Sequence, residues 1–468
     1  MSVVNFVKQI MDRDIPVHSF IIYRAGEVIG RSDLFAGRLH RMFSIAKSIV
    51  AIDIGLLLSE GKLRLEDRII SYFPEYLPDR LPEYLEELTI RDMLMMRGCY
   101  FYNTYKAGGK INWVESFFKS RPDHRGGEFF YYDTAAAHVL GALAEKLSGL
   151  SLMDYFRKRL EGIMGEAAYM LKDPQGVSFG GSGLMADQED LLRLGIFFLE
   201  AHTLSPEAFC EKYKVNECFR EYILTACSNL TSTALEGKSR FESFGYGYYI
   251  WQCDKNGFMC YGMGGQLLAV YPKKKLILVT TADTQGIANG IDEIFDAFYE
   301  NIYDEAELSY EECRLYLKPV GQWNHIKAIG NTEETAKIFE VNTNIRLKDS
   351  GGYFEELRFK GSEDGRTAFI TFKYKDGRSC SIGFGFENFY RGQLDNYGYE
   401  YMAGAAFTGA GELFIKLYII DTSLGNAGFR IYFDEKGAFR AIYMQKKAEN
   451  ELDEFSGYME AEDGENEA

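Results

Sequence analysis

Ser44-Ile45-Ala46-Lys47 puts a serine and a lysine one helical turn apart, at the head of an apolar run that continues to Leu58. A separation of three residues brings two side chains onto one face of a helix. The run is apolar nearly all the way round, the pattern of a helix buried on every side, and Gly61 stands where a left-handed cap would end it. Upstream, His18 to Arg24 reads as a strand, Ala25-Gly26 as its turn and Glu27 to Gly30 as the returning strand. A hairpin followed by a buried helix therefore delivers Ser44 to a helix start, where free N–H groups and the positive end of the dipole favour negative charge. Ser59-Glu60-Gly61-Lys62 and Ser116-Phe117-Phe118-Lys119 have the same spelling. Ser59 falls in the turn that ends the helix, and Ser116 with Lys119 reads as part of a short helix that is exposed on one side. A plain N-cap serine is the alternative reading of Ser44, and its surroundings have to decide.

The chain has 468 residues, 46% of them hydrophobic, and a net charge of −17. That length and composition allow large cores and suggest two or more domains. The charge argues against nucleic acid and anionic membrane surfaces as partners. Much of it is local, because acidic residues crowd Glu449 to Glu467 with no lysine or arginine beyond Lys447. Such composition predicts a solvated, partly disordered acidic tail over 448–468. The N-terminus lacks a signal-peptide pattern, Val3 to Met11 reads as a short amphipathic helix, and no apolar run reaches the ~20 residues of a membrane span. These features predict a cytoplasmic chain. Eight cysteines without a Cys-x-x-Cys pair imply reduced thiols. The six histidines show no metal-ligand spacing, so no metal and no other cofactor is expected.

Along the chain, strand-like runs flank a mainly helical stretch from about 41 to 235, in which Asp187 with Asp190 starts a helix. Strands are expected at Tyr246 to Gln252, Gly257 to Tyr261, Leu267 to Tyr271 and Leu276 to Thr281. An amphipathic helix follows, with Ile291, Ile294, Phe295, Phe298 and Ile302 on one face. Strands at both ends of a 1–315 domain predict an α/β (α+β) fold, one antiparallel sheet with an inserted helical lobe. From about Gly321 the pattern changes to period two, rich in Phe and Tyr, with turns at Asp349-Ser350-Gly351-Gly352, Asp376-Gly377 and Lys436-Gly437. Eight or so strands between Ile326 and Met444 predict an all-β domain over 321–447, a lipocalin-like barrel or a sandwich. Catalytic motifs are absent there, so the domain reads as a packing or dimerisation module in preference to a ligand-binding barrel, and a homodimer is the partner state it suggests.

Ordered motifs narrow the family. The Ser44 element is followed by Gly61-Lys62-Leu63-Arg64-Leu65-Glu66-Asp67, Tyr72-Phe73-Pro74-Glu75, Leu88 to Met96 and Gly127 to Thr134. Gly181-Ser182-Gly183-Leu184 with Asp190-Leu191, Gly245-Tyr246-Gly247-Tyr248 and Gly262 to Gln266 complete the series. In this order the sequence resembles the serine hydrolases of the class C β-lactamase, penicillin-binding protein and related esterase and amidase family, the 6-aminohexanoate-dimer hydrolase type in particular. The resemblance covers about the first two thirds of the chain and implies a β-lactamase/transpeptidase-like fold.

It also implies roles. Ser44 would be the nucleophile, Lys47 its base, and the tyrosine of a Tyr-x-Asn element the proton shuttle. Tyr131 and Tyr132 compete for that place; counting to Leu140-Gly141 favours Tyr132 and puts Thr134 where asparagine usually stands. The N–H groups of Ser44 and Met263 would form the oxyanion hole, where one donor is worth about 3 kcal/mol, with Gly262 permitting close approach. Thr134 and Tyr261 would contact substrate. Where the family carries Lys-Thr-Gly or His-x-Gly, this chain has Cys260-Tyr261-Gly262. The cation that would hold a substrate carboxylate is missing, so efficient β-lactam or D-alanyl peptide chemistry is not expected. Cys260 has no histidine near it in sequence to make it a nucleophile and reads as a buried strand residue. The run Gly262-Met263-Gly264-Gly265 leads into a strand, which excludes a dinucleotide loop. Tyr100, Tyr102, Tyr105, Tyr248 and Trp251 are candidate pocket walls.

For Lys47 to act as base, its reference pKa near 10.4 has to fall by about three units, roughly 4 kcal/mol of differential interaction, which burial can supply. The sequence thus predicts a serine hydrolase that cleaves a small-molecule ester or amide through a Ser44 acyl-enzyme. The alternative is a catalytically degenerate binding or scaffold protein that keeps the fold, for which Cys260 and Thr134 are the signs.

Overall fold

In the computed structural model the described residues are 2–13, 15–33, 38–105, 112–234, 239–285, 290–304, 343–346, 354–362, 366–386, 389–395, 398–409, 412–422, 425–433, 439–448 and 451–458. The chain divides into two compact units, 1–284 with 289–321, and 285–288 with 322–468.

The first unit is built on a six-stranded antiparallel sheet. Val17–Arg24 lies between Glu27–Asp33 and Leu276–Ala282, and Gln266–Tyr271, Phe258–Gly262 and Trp251–Gln252 continue outward. The two ends of the domain thus meet in one sheet, as the strand-like runs predict. Every residue of Gln266–Tyr271 and Leu276–Ala282 is buried, because both faces of these strands are covered. Helix Gln188–Thr203 packs on them so closely that a Cβ on Gly195 would lie 2.6 Å from Leu268. Ser2–Asp12 and Gly290–Phe298 pack on each other, and the latter buries Ile291, Ile294, Phe295 and Phe298.

The inserted lobe is helical. Its centre is Ala46–Ser59, buried from Ala46 to Leu57 and surrounded by Thr134–Ser148, Leu152–Arg159 and Glu217–Ala226. Gly61 follows it with φ +71°, the left-handed position a cap requires. Asp187 and Asp190 form a capping box at the head of Gln188–Thr203. A small sheet of His40–Arg41, Leu184–Ala186 and Tyr169–Met170 holds the approach to the central helix.

Two local expectations are corrected. The strand expected over Tyr246 to Gln252 shrinks to Trp251–Gln252. Gly245 at φ +119° and Tyr249 at φ +57° leave the extended region, and the Gly247 N–H turns back to the Ile250 carbonyl at 2.8 Å. Ser44 does not open the α-helix but lies in a 3₁₀ turn, Phe43–Ile45, just before it.

The second unit is a strand-rich curled sheet of ten strands, running in chain order from Thr343–Arg346 to Glu451–Tyr458, with Tyr390–Gln393 off the main path beside Glu400–Gly409. This strand-rich sheet fits the all-β domain expected after about Gly321. Pairing is antiparallel except where Gly385 meets Gly404. Phe359, Ile370, Phe384, Leu413, Ile415 and Ile431 form its core. Glu451–Tyr458, inside the stretch expected as a solvated tail, is a strand paired with Phe439–Ala448, with Asp453 opposite Lys446. Composition alone gives no account of such a backbone ladder. The expected turns at 349–352 and 436–437, Ile326, Glu449 and the acidic residues after Tyr458 lie outside the described residues. No helix of the described residues is long and apolar enough to cross a membrane.

Candidate active site

The chain enters the site from His40–Arg41, where the Met42 N–H bonds to the Leu184 carbonyl at 2.8 Å. Phe43 then takes φ +45°, a left-handed conformation costly for a non-glycine residue. It is buried, with the Arg41 guanidinium 4.7 Å from its ring centroid. Packing on that ring helps hold the sharp turn that presents Ser44, which is partly accessible. The residue at the helix cap is Ile45, without a side-chain capping bond. Ser44 is therefore not the N-cap serine of the plain reading.

Lys47 is fully buried. Its Nζ donates to Ser44 Oγ at 3.0 Å, to the Gly181 carbonyl at 2.6 Å and to Thr134 Oγ1 at 3.3 Å. Burial pushes its pKa down to about 7, against the opposing pull of Asp133. Tyr132 shares a hydrogen bond with Ser44, and burial raises its phenol well above the ordinary value. Its ring centroid lies 4.8 Å from Lys47 Nζ, and Trp251 stacks on the ring at 5.6 Å and 17°. Tyr131 instead meets Phe101 edge-on at 5.6 Å.

Each partner has a local reason for its place. Asp133 caps helix Thr134–Ser148 by accepting from the Ala135 N–H at 2.8 Å, which fixes Thr134 as the first helical residue. Gly181 can approach because it has no side chain: a Cβ there would stand 2.5 Å from Thr134 Cγ2 and 2.6 Å from its carbonyl oxygen. Across the site, a Cβ on Gly262 would overlap the Met42 carbonyl oxygen, so only glycine lets this strand reach the serine turn. Met263 follows, 36% exposed, with Gly264 and Gly265 both at positive φ. Gln266 Nε2 ties the turn down through the Met263 and Ala282 carbonyls at 3.2 and 2.6 Å.

Lys47 thus contacts Ser44, Tyr132 and Thr134, Tyr132 also meets Ser44, and Gly262 abuts the turn before Ser44. Cys260 is buried, its thiol bonded to Ser48 and pushed up to about 12 by burial. Tyr261 is partly accessible, and burial with the nearby Glu242 raises its phenol. Cys260–Gly262 runs past the two-residue strand that pairs with Phe258 and Met259, so among the described residues no strand pairs with the outer edge of this stretch. Of the aromatic residues expected as walls, Trp251 contacts Tyr132. Tyr100 and Tyr102 donate their hydroxyls to Phe117 O and Arg121 O, Tyr248 accepts from the Arg91 guanidinium, and Tyr105 stacks on Trp113. Among the described residues no group of three or more His, Cys, Asp or Glu could hold a metal ion. Sequence reading missed the Gly181 carbonyl, Asp133 and the strained Phe43. The glycine cluster at 180–183 was the one available signal.

The profile of the Beta-lactamase family matches residues 3–293. The 6-aminohexanoate-dimer hydrolase of Paenarthrobacter ureafaciens is 23% identical over 205 residues, 39% of this chain and 52% of that protein. The chain therefore spans about half the length of this curated relative. Among solved structures, an octameric penicillin-binding protein homologue from Pyrococcus abyssi is similar with a TM-score of 0.50 at 16% identity, covering 98% of this chain and 100% of that one. EstCE1, a hydrolase with promiscuous acyltransferase activity, is similar with a TM-score of 0.50 at 15% identity, covering 64% of this chain and 98% of that one. At these identities the structural likeness is one of fold.

Proposed function

The chain belongs to the Beta-lactamase family, and from that premise we propose that it is a serine hydrolase cleaving an ester or amide of a small molecule through an acyl-enzyme on Ser44. One observation carries the reading: a fully buried Lys47, with its pKa held down to about 7, lies 3.0 Å from Ser44 Oγ. Near neutral pH a large fraction of Lys47 is then unprotonated and can accept the serine proton, which an ordinary lysine cannot do.

In acylation, Oγ attacks the substrate carbonyl carbon as its proton passes to Lys47 Nζ. The N–H groups of Ser44 and Met263 receive the developing oxyanion. The proton then reaches the leaving oxygen or nitrogen through the Tyr132 hydroxyl, and the carbonyl–leaving-group bond breaks. Water deacylates Ser44 by the reverse proton path. Thr134 and Tyr261 border the reacting centre and contact the substrate. With Cys260 turned to Ser48 where the family carries a cation, substrates without a carboxylate are favoured. The seven described cysteines are free, which fits a reducing cytoplasm; Cys313 lies outside the described residues.

A second reading, a degenerate member that binds without turnover, draws on the same missing cation. A panel of short uncharged esters, anilides and penicillins separates the two. We expect ester hydrolysis that is abolished in Ser44→Ala, and weak or undetectable β-lactam turnover. No hydrolysis of any class would favour the degenerate reading.

A further inference from the structure

The reaction as proposed leaves one buried group of the site without a task. Asp133 is 3% exposed. It stands between Tyr132, whose ring faces Lys47 Nζ at 4.8 Å, and Thr134, whose hydroxyl accepts from that nitrogen at 3.3 Å. Oδ1 caps the helix through Ala135. Oδ2 is buried without a hydrogen-bond partner. Asparagine or serine caps a helix as well as aspartate does, so capping does not account for a carboxylate with one bare oxygen. An unpartnered buried oxygen is costly, and a nearby cation is what would offset it.

The neighbours of Asp133 point to one such cation. Its titratable surroundings are Lys47, Cys99, Tyr100, Tyr105 and Tyr249. Burial raises the thiol and the phenols, which keeps them neutral at pH 7, so Lys47 is the partner that becomes charged. From the side of Lys47, the contacts at Ser44, Thr134, Gly181 and Tyr132 are dipoles and a ring. On its own helix, Asp53 is six residues further along, and burial pushes its carboxyl well above the usual carboxylate range. We propose that Asp133 is a positioning residue of this reaction, a fixed counter-charge that stabilises the Lys47 ammonium formed as Ser44 is acylated. The proposal rests on Lys47 being the base. Asp133 exchanges no proton in the step: the serine O–H bond breaks, the Nζ–H bond forms, and above about pH 6, the value to which burial raises its carboxyl, the carboxylate is ionised beside the new ammonium. Because the two groups interact, they titrate as a pair.

Asp133→Asn and Asp133→Ser both keep a capping side chain and remove the charge. We expect melting temperatures close to the wild type, an acid limb of the pH profile for ester kcat/KM displaced downward by about one unit, and a plateau lowered about tenfold, because Lys47 becomes a weaker base without its opposite charge. An acid limb unmoved in both folded variants would overturn the proposal. Loss of folding in both would overturn it too, since the carboxylate would then serve structure and not charge. The coupling is also read without turnover, from the titration of the Lys47 Cε resonance in 13C-lysine-labelled protein, assigned with Lys47→Met. A midpoint lowered in Asp133→Asn while the wild type never acylates would remove the hydrolase reading and leave the coupling. Acylation with an unmoved midpoint would do the reverse.

Discussion

Ser44–Lys47, Ser59–Lys62 and Ser116–Lys119 share a spelling and a spacing, yet their surroundings have little in common. Lys47 is fully buried and bonded to neutral oxygens. Lys62 and Lys119 have side chains 43% and 58% exposed and pair with Glu60 and Glu115. The other two serines donate back into their own helices, Ser59 to Leu56 O at 2.8 Å and Ser116 to Trp113 O at 2.7 Å. Water and a carboxylate both favour the ammonium form of a lysine, whereas burial among dipoles favours the neutral amine. The motif supplies geometry at all three places; burial lowers the lysine pKa at one.

The sharpest way to break that contrast is to remove each lysine in turn. Lys47→Ala should lower ester kcat/KM by about 10²- to 10⁴-fold, while Lys62→Ala and Lys119→Ala stay within about twofold of wild type, as expected for exposed pairs. Comparable losses from all three would mean that burial is not what distinguishes Lys47. Next in size, Tyr132→Phe should cost about 10²-fold, and Tyr131→Phe little. Adding Lys47→Ala to Tyr132→Phe should hardly deepen the defect, because members of a coupled set are not additive. Damage from Tyr131→Phe instead would shift the shuttle by one residue.

The smallest effect concerns stability. Lys47 has a folded pKa of about 7 against 10.5 for an ordinary lysine, so between these values the unfolded chain holds a proton that the folded one lacks. Stability from this group therefore rises with pH across that window, and its burial is fully destabilising below about pH 7. Lys47→Met should be inactive yet melt higher than wild type at pH 6, by a few degrees, with the advantage shrinking toward pH 10. Thermal scans at the two pH values check this; an advantage that grows with pH would contradict the depressed pKa.

Much of the first unit was legible because its signals are local. The hairpin from His18 to Gly30, the capping pair Asp187 and Asp190, and the apolar run after Ser44 need only neighbouring residues to be read. The strand expected at Tyr246 failed where a tyrosine, against its ordinary preference, adopts positive φ at position 249. Phe43 is a similar case: nothing in the residue type announces a left-handed turn before the serine. The acidic strand Glu451–Tyr458 was hidden by composition: its run of acidic residues reads as a solvated tail, although its partner Phe439–Ala448 lies just before it in the chain. At the site, Ser44 and Lys47 were visible as a spacing and Tyr132 through the family pattern. The Gly181 carbonyl was not, because a backbone oxygen has no residue-type signature and meets Lys47 across 134 residues. Asp133 stands beside Tyr132 in the sequence, but its burial, which the proposed counter-charge depends on, has no sequence signal.

The most direct test of the Ser44–Lys47 reading is intact-mass spectrometry after treatment with a fluorophosphonate, with peptide mapping of the adduct. We expect a single addition on Ser44, absent in Ser44→Ala and unaffected by Ser59→Ala or Ser116→Ala. An adduct on another serine, or none on a folded wild-type chain, would contradict it.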